Sequence, residues 1–329
     1  MSLTPEKLLR LLADGEVHSG TALAHKLGVT RAAVWKCMQQ LEALGVTVAA
    51  GAGKGYQLDR PLELLDAAAI RAALPESAPS AIGAIDVLWS TASTNDHLLQ
   101  LPAAEPGHSR ACLAEFQTAG RGRRGRAWLA PAGSGICLSL SWSFRNSPPQ
   151  LACLGLVAGV AVLRAARAAG ASGAALKWPN DVLIDGRKLA GILIDVKGEA
   201  GGPLQAVVGV GLNVDLPAET GEDIVAAGGL APASLRAAGA GMGRNAVAAT
   251  LIAELHAALS QFAAGGFAAL AEEWRAADYL QGRDVAVAVD GHSVAGVVRG
   301  IAADGRLQLE TDTGIEHFTT GDVSVRLAS

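Results

Sequence analysis

The chain has 329 residues, of which 50% are hydrophobic and 18% are charged. This length and balance are typical of a soluble globular protein with about two or three domains. The formal net charge of −4 argues against a protein that coats nucleic acid or an anionic membrane, so any contact with DNA must be confined to one module.

Three further features of the sequence indicate what kind of protein this is: its cysteines, its N-terminus and its apolar runs. Cys37, Cys112, Cys137 and Cys153 are scattered without C-x-x-C spacing, which predicts reduced core cysteines and favours neither a zinc site nor disulfides. The N-terminus lacks the features of a signal peptide, so we expect a cytoplasmic protein. The uncharged run 151–163 is 13 residues long, short of the ~20 that a membrane span requires, and predicts a buried helix.

Residues 1–62 predict a winged helix-turn-helix domain. Thr4 and Thr30 stand where helix N-caps are expected, and a short helix over 19–27 lies between them. Two short alternating strands follow, joined by a glycine-rich turn at 51–55. Three helices and a two-stranded wing in this order are typical of proteins that bind DNA.

The DNA-facing surface of this domain can be named from the motif, because its second helix-turn-helix helix lies in the major groove. Residues 1–60 carry seven Lys and Arg against five Asp and Glu, a small positive excess in an acidic chain. A three-helix packing module that never contacts DNA is the alternative. The residues predicted to face DNA are Thr30, Arg31, Trp35, Lys36 and, at the tip of the wing, Lys54.

The segment Gly120–Trp128, here called the arginine loop, holds four arginines among three glycines. The guanidiniums repel one another and the glycines lose much backbone entropy on ordering, so we expect the loop to stay mobile until a polyanion such as a phosphate neutralises it. Its sequence also fits the pattern G-x-G-x-x-G, but arginines fill the variable positions, which disfavours a dinucleotide-binding site. A solvated basic loop is the other alternative.

A polar motif and a glutamine precede the arginine loop. Ser93–Asp96 follows a predicted strand at 85–89 and has the spacing of a capping box, a purely structural explanation that stays open. Gln117 ends the predicted strand 111–116, and residues 136–144 alternate cleanly as the next strand. The arginine loop is therefore predicted to connect two strands.

Two lysines flank a predicted hairpin further along the chain. Lys177 opens the stretch 177–181, and Asp185-Gly186 between apolar runs predicts a tight turn with Lys188 just past it. Such a lysine alone is usually a solvated edge residue, whereas two of them in a chain with an arginine loop favour phosphate binding. Glycines interrupt the next strand, 207–214, which favours close approach of a ligand to the backbone.

The C-terminal third predicts two helices and then a small β-domain. An amphipathic helix capped by Asn245 and a shorter helix over 267–279 come first. From Val285 onward the valines alternate, and Asp-Gly and Thr-Gly dipeptides separate short strands. This spacing predicts a small antiparallel barrel.

Taken together, the motifs resemble those of the biotin–protein ligases, in the form that also represses the biotin operon. The resemblance covers essentially the whole chain; one departure is Ala127, where relatives often carry a basic residue. It implies an α+β protein with a winged helix-turn-helix domain (1–62), a catalytic domain like that of class II aminoacyl-tRNA synthetases (66–278) and an SH3-like β-barrel (279–329). The motifs in the family's order are Ser93–Asn95, Gln117–Trp128, Lys177–Asp181, Arg187–Gly191 and Gly209–Asn213.

The resemblance implies two chemical steps. Biotin's carboxylate attacks the α-phosphate of Mg²⁺-bound ATP to give biotinyl-5′-AMP and pyrophosphate, and a lysine of a biotin carboxyl carrier protein then takes the biotinyl group. This chemistry requires positive charge around the phosphate and exclusion of water.

The resemblance also implies roles for individual residues. The implied catalytic residues are Lys188, Arg123 and Arg121. The implied biotin-binding residues are Ser93, Thr94, Asn95, Gln117, Arg121, Gly122, Arg123 and Lys188. The implied nucleotide-binding residues are Arg123, Arg126, Trp128, Lys177, Asn180 and Asn213, with no metal site built by the protein alone.

The resemblance also implies partners: a carrier protein that is a subunit of acetyl-CoA carboxylase, operator DNA, and a second copy of the chain once biotinyl-AMP is bound. No membrane partner is expected. A lipoate–protein ligase is one alternative, disfavoured by the arginine loop and the winged helix. A transcription factor that binds an effector without catalysis is another, disfavoured by Lys188 and the complete loop.

Overall fold

The structure is a computed structural model that describes residues 3–51, 55–198, 202–289, 292–320 and 323–327. Lys54, the predicted tip of the wing, lies outside the described residues, as does the predicted turn Asp290-Gly291. The N-terminal module consists of three helices and a two-stranded antiparallel hairpin: α1 (Pro5–Leu12), α2 (Gly20–Leu27), α3 (Arg31–Ala43), β1 (Val48–Gly51) and β2 (Gly55–Leu58).

Local sequence explains these helices well. Thr4, Ser19 and Thr30 each accept a hydrogen bond from the backbone amide three residues later, which satisfies a donor at the helix start. Gly28 ends α2 in the left-handed region at φ 64°, a conformation that glycine adopts without steric cost. The three helices bury one common apolar core, so the predicted winged helix-turn-helix is confirmed.

The central domain is built on a seven-stranded sheet in the order β3-β4-β5-β9-β8-β7-β6. β3 and β4 run parallel, and the other neighbours are antiparallel. Asp185 and Gly186, both at positive φ, form the predicted tight turn between β7 and β8. The strands are β3 (Ile82–Thr91), β4 (Ser109–Gln117), β5 (Gly135–Phe144), β6 (Ala175–Lys177), β7 (Asp181–Ile184), β8 (Arg187–Gly198) and β9 (Leu204–Asn213).

Helices cover both faces of this sheet unequally. The helices of the domain are α4 (Ala67–Ala72), α5 (Thr94–Gln100), α6 (Leu154–Ala168), α7 (Ala218–Ala226), α8 (Arg244–Gly265) and α9 (Ala268–Ala276). α6, α8 and α9 share the large apolar core with the inward side chains of the sheet, whereas α5 packs beside β4, β5 and β9 in a small separate cluster around Leu98, Cys112 and Val207. The candidate site described below lies on the α5 side.

Within the part of the chain that the structure describes, two segments are long and apolar enough to cross a membrane by length and composition, Leu151–Ala168 and Arg244–Gly265. The fold buries 67% and 56% of their apolar windows. Both contribute side chains to the large core and are therefore interior helices of the fold. The predicted buried helix after residue 151 is therefore confirmed.

The start of α8 corrects one prediction. Asn245 was expected to cap this helix, but the helix begins at Arg244 with Gly243 at the N-cap. Glu63, from the segment that leaves the winged helix, accepts hydrogen bonds from the amides of Arg244 and Asn245 and from Asn245 Nδ2. A carboxylate distant in sequence thus satisfies the helix donors, which local pattern does not reveal.

Five antiparallel strands form the C-terminal sheet, in the order β13-β12-β11-β10-β14. Its connection at Ala303–Gly305 docks on the central domain, where three successive carbonyls accept hydrogen bonds from Gln150, Cys153 and Trp178. This is the predicted C-terminal β-domain. Its strands are β10 (Asp284–Val289), β11 (His292–Ile301), β12 (Leu307–Thr311), β13 (Gly314–Phe318) and β14 (Val323–Leu327).

Candidate functional site

A cavity of about 600 Å³ opens beside α5 and above the middle of the central sheet. Its walls come from the start of α5, the end of β4, the arginine loop, strands β7 to β9, and β14 of the C-terminal sheet. The structure brings every ligand-binding and catalytic residue predicted for the central domain to this one cavity. The residues are Ser93, Thr94, Asn95, Gln117, Arg121, Gly122, Arg123, Arg126, Trp128, Lys177, Asn180, Lys188 and Asn213.

Glycines on adjacent strands make room for two of these side chains. Gly191 and Gly211 are paired across β8 and β9, and a Cβ at Gly211 would overlap the Trp128 indole. A Cβ at Gly209 would likewise overlap the Asn95 amide. Side chains of the chain itself therefore make the close contacts at these glycines, and the approach of a ligand to the backbone stays a prediction.

The residues predicted to hold the biotin head form a hydrogen-bonded network. The Thr94 amide and hydroxyl donate to Gln117 Oε1 at 2.9 and 3.1 Å. The Ser139 hydroxyl lies 2.6 Å from Thr94 Oγ1 and 2.5 Å from Asn95 Oδ1. Asn95 Nδ2 donates to Asp195 Oδ2 at 2.8 Å. Because Thr94 and Asn95 are buried, these groups are fixed before any ligand binds.

The first turn of α5 confirms only part of the predicted capping box. Ser93 Oγ accepts a hydrogen bond from the Asp96 amide at 3.4 Å. The Asp96 carboxylate accepts two hydrogen bonds from Arg121 of the arginine loop. The motif is thus both a helix cap and a contact to the loop.

Lys188 lies between an acid and an aromatic ring. Its Nζ is 2.6 Å from Asp181 Oδ1 and 5.7 Å from the centroid of the Trp128 ring. The opposite charge fixes the ammonium, and the ring face also attracts a cation. Lys188 therefore stands in a defined place on the cavity wall, as required of a group that stabilises developing charge.

Lys177 adds a second cation in less polar surroundings. Burial lowers its pKa, Asp181 opposes that effect, and the charges of Lys188, Arg126 and Arg326 lower the pKa further. Several cations around one cavity repel one another, so binding an anion among them is favourable. This is the electrostatic requirement of a phosphate site.

The arginine loop is folded as a short hairpin around a 3₁₀ turn, Arg123–Gly125. The Gly122 amide donates to Arg126 O at 2.7 Å, and the Trp128 amide donates to Gly120 O at 2.9 Å. Arg123 donates to Asn180 Oδ1 at 3.2 Å and to the carbonyl of Thr320, which joins the loop to the C-terminal sheet. The mobility expected of the loop without ligand stays a prediction.

Asn213 and Asn180 serve as anchors on neighbouring strands. Asn213 Nδ2 donates to the carbonyls of Lys188 and Ala233, at 3.2 and 3.0 Å. Asn180 Nδ2 donates to Ile192 O at 2.8 Å. Asn213 uses both of its amide hydrogens in these bonds, so its side-chain carbonyl oxygen is the group left to contact a ligand.

Sequence reasoning missed several residues at this site. Asp181 ends the motif 177–181, so its acidic side chain could have been predicted as a site residue from the sequence. Asp195 and Ser139 gave no signal, because they act on residues far away in the chain. Another part of the cavity wall comes from α7, from the segment after it and from β14, which have no recognisable motif: Ile224, Leu230, Pro232, Val325, Arg326 and Leu327.

The predicted DNA-facing residues lie apart from the cavity, on the winged helix. Thr30 caps α3, and Arg31, Trp35 and Lys36 are exposed on that helix. The Trp35 side chain is 56% exposed, which is unusual for an indole in a folded domain.

Known protein families match each of the three parts of the chain. Residues 87–213 match the Biotin/lipoate A/B protein ligase family, residues 5–57 an HTH domain, and residues 281–326 the Biotin protein ligase C terminal domain. Over 324 residues the chain is 39% identical to the bifunctional ligase/repressor BirA of Salmonella typhimurium, with 98% of each chain covered.

A second relative and a solved structure are also biotin ligases. The biotin–[acetyl-CoA-carboxylase] ligase of Mycobacterium tuberculosis is 38% identical over 246 residues, covering 73% of this chain and 88% of that protein. The structure of the Aquifex aeolicus biotin protein ligase in complex with biotin and ATP aligns with a TM-score of 0.62 at 25% identity, covering 75% of this chain and all of that one. The chain belongs to the biotin–protein ligase family, in the bifunctional ligase/repressor form with an N-terminal helix-turn-helix domain.

Proposed function

We propose that this chain is an ATP-dependent ligase that converts biotin to biotinyl-5′-AMP and transfers biotin to a lysine of a biotin carboxyl carrier protein. The observation that carries the proposal is one cavity in which a fixed polar network adjoins a cluster of cations. The network of Thr94, Asn95 and Gln117 suits the ureido ring of biotin. The cations Lys188 and Arg123 suit its carboxylate and the phosphates of ATP.

In the first step a carboxylate oxygen of biotin forms a bond to the α-phosphorus of ATP. The bond between that phosphorus and the bridging oxygen breaks, and pyrophosphate leaves. Negative charge gathers on the crowded phosphate, so Lys188 and Arg123 would lower the barrier by charge-assisted hydrogen bonds, each contributing about 1.5–3 kcal/mol. Asp181 would hold Lys188 in place for this purpose.

Magnesium would enter with the nucleotide. Among the residues that the structure describes, no group of three or more His, Cys, Asp or Glu could hold a metal alone. Asp181 and Asn213 are among the residues that line the cavity, and side-chain oxygens of these types suit Mg²⁺ that is already bound to phosphates. The metal would then neutralise phosphate charge during the first step.

In the second step the amine of the carrier lysine attacks the biotinyl carbonyl, AMP leaves, and the amine loses a proton. The mixed anhydride must be kept from water until the carrier arrives. The arginine loop lies over the cavity and Trp128 forms an apolar part of its wall. Together they would provide that protection.

Mass spectrometry of a carrier domain incubated with this chain, biotin and Mg·ATP tests the ligase function. A mass increase of one biotinyl group on a single lysine is expected. Parallel reactions with lipoate distinguish the lipoate-ligase alternative. Formation of neither biotinyl-AMP nor modified carrier would refute the proposal.

A second function, repression of transcription, is supported by the winged helix and by the exposed α3 residues Arg31, Trp35 and Lys36. We propose that biotinyl-AMP promotes a homodimer whose two winged helices bind a palindromic operator. Titration of a biotin-operon operator fragment with and without biotinyl-AMP tests this function. Both activities act on soluble partners, consistent with a cytoplasmic protein.

A further inference from the structure

We propose that Tyr279 contacts the nucleotide, donating a hydrogen bond from its phenolic hydroxyl to the pyrophosphate end of ATP, and that Arg283 is a positioning residue for the Tyr279 ring. The inference rests on the proposed ligase function and extends it to a residue outside the motifs of the sequence. Tyr279 lies in the connection between α9 and β10, and it lines the cavity.

The backbone around Tyr279 is paired to the edge of the central sheet. The Tyr279 amide donates to Leu176 O at 2.8 Å, and the Leu176 amide donates to Ala277 O at 2.8 Å. These bonds form a parallel bridge beyond β6, the last strand in the sheet order. The bridge fixes Tyr279 beside the end of β6, which carries Lys177.

The hydroxyl of Tyr279 reaches the tight turn between β7 and β8. A Cβ at Gly186 would lie only 2.8 Å from Tyr279 Oη, so the glycine leaves room for the hydroxyl. Lys188 follows two residues after Gly186. Within the described part of the chain, no protein group makes a hydrogen bond with this hydroxyl. It is therefore a donor that a ligand in the cavity can use.

Arg283 covers one face of the Tyr279 ring. Its guanidinium carbon lies 4.2 Å from the ring centroid, within the range at which a cation is attracted to an aromatic face. The Arg283 backbone is also held, because its amide donates to Leu280 O at 2.9 Å and its carbonyl accepts from the Val298 amide at 3.0 Å. Arg283 therefore favours the ring orientation that puts the hydroxyl beside Gly186.

The side chains around this part of the cavity favour a phosphate ligand. Burial lowers the pKa of Lys177, and the charges of Lys188 and Arg326 lower it further. All three cations line the cavity together with Tyr279. Because the cations repel one another, a pyrophosphate group with its several negative charges would bind favourably among them. A neutral hydroxyl adds a hydrogen bond without adding to the repulsion.

The strand order indicates where the pyrophosphate would lie. Ser139, in the polar network proposed to bind biotin, is on β5; Lys188 and Asp181 are on β8 and β7; Tyr279 lies beyond β6. In phosphoryl transfer the attacking and leaving oxygens are roughly in line across the phosphorus. A biotin carboxylate that arrives from the β5 side would therefore expel pyrophosphate toward β6 and Tyr279.

Titration calorimetry of the full chain with Mg·pyrophosphate tests the proposal. Tyr279→Phe removes only the hydroxyl and should weaken pyrophosphate binding about tenfold, as expected for the loss of one hydrogen bond to a charged group. The affinities for biotin and for biotinyl-AMP should stay unchanged, because neither contains the pyrophosphate group. Tyr56→Phe removes the same atom from the chain's second tyrosine, in the winged helix, and should match the wild type.

Two further measurements separate a ligand contact from a structural role. Tyr279→Phe should keep the wild-type free energy of unfolding, since the hydroxyl has no partner in the described part of the chain. In the reverse reaction, which makes ATP from biotinyl-AMP, the same variant should raise the KM for pyrophosphate about tenfold and leave kcat unchanged. Arg283→Gln should weaken pyrophosphate binding about threefold, and it should add nothing in a Tyr279→Phe chain.

Equal pyrophosphate affinity in the wild type and in Tyr279→Phe would overturn the proposal. So would a wild type that does not bind pyrophosphate, or a variant in which biotinyl-AMP binding weakens to the same extent. If the wild type forms no biotinyl-AMP, the ligase proposal fails, while the pyrophosphate titration still decides the role of Tyr279. If biotinyl-AMP forms and Tyr279→Phe binds pyrophosphate as the wild type does, the role of Tyr279 alone is wrong.

Discussion

Lys188 Nζ lies 2.6 Å from Asp181 Oδ1, across the turn that joins β7 to β8. The pair occupies the cavity wall beside Trp128 and Asn180. A lysine held in this way needs little reorganisation when charge develops on a neighbouring phosphate.

We therefore expect Lys188→Ala to slow formation of biotinyl-AMP by about 10²-fold or more, as found when one preorganised charge donor is lost. Pyrophosphate release in a single turnover measures this step. Lys197→Ala is the matched control, because Lys197 is exposed on the same strand and donates to Leu99 O outside the cavity. A wild-type rate for Lys188→Ala would remove this residue from the catalytic set.

The contrast between Lys188 and Asp195 shows what sequence reveals and what it does not. The Asp185-Gly186 turn is encoded by two adjacent residues, so the position of Lys188 followed from local rules. Asp195 contacts Asn95, 100 positions away in the chain. No short-range pattern encodes that distance, and only the order of strands in the sheet brings the two together.

The same distinction between local and long-range contacts explains which fold predictions were correct. The caps at Thr4 and Thr30 are local and were predicted correctly. The donors at the start of α8 are satisfied by Glu63, which lies about half the chain away, and the cap predicted at Asn245 was wrong. The docking of the Ala303–Gly305 connection on Trp178 is likewise a tertiary contact without a local signal.

Gly211 gives a second prediction, because a Cβ at this position would overlap the Trp128 indole. Gly211→Ala should displace the indole, lower the free energy of unfolding by about 1–3 kcal/mol and weaken biotin binding. Denaturant unfolding and a biotin titration measure the two effects. Gly241→Ala is the control, since a Cβ there meets no atom within 4 Å. Equal stability and equal biotin affinity in the two variants would show that Trp128 does not depend on Gly211.

Asp278 gives a prediction for pH. Burial raises its pKa to about 6, and its Oδ2 is buried without a hydrogen-bond partner in the described part of the chain. The folded chain thus keeps this proton at pH values where the unfolded chain, with a pKa near 3.8, has released it. Stability should fall as pH rises from about 4 to about 6 and then level off.

Asp278→Asn removes this titration and keeps the shape of the side chain. Relative to the variant, the wild type should lose about 2 kcal/mol of stability between pH 4 and pH 7, less than the full pKa shift implies because the site is not completely buried. Denaturant unfolding of both proteins at several pH values measures the difference. A difference that is independent of pH would contradict the assignment.

The last prediction concerns DNA. A winged helix with so small a charge excess should bind DNA weakly as a single copy, because phosphate contacts supply most of the non-specific affinity. Two copies related by symmetry would bind a palindrome more tightly through effective concentration. If biotinyl-AMP orders the arginine loop before association, the ordering cost of dimerisation falls and the adenylate becomes both intermediate and corepressor. Sedimentation and operator titrations should then show more dimer and higher DNA affinity with biotinyl-AMP.

Trp35→Ala should weaken operator binding about tenfold and leave adenylate formation intact, while Ile315→Ala, a similarly exposed apolar residue on the C-terminal sheet, should change neither. Equal dimerisation and equal DNA affinity with and without the adenylate would refute the regulatory coupling and leave the ligase function standing.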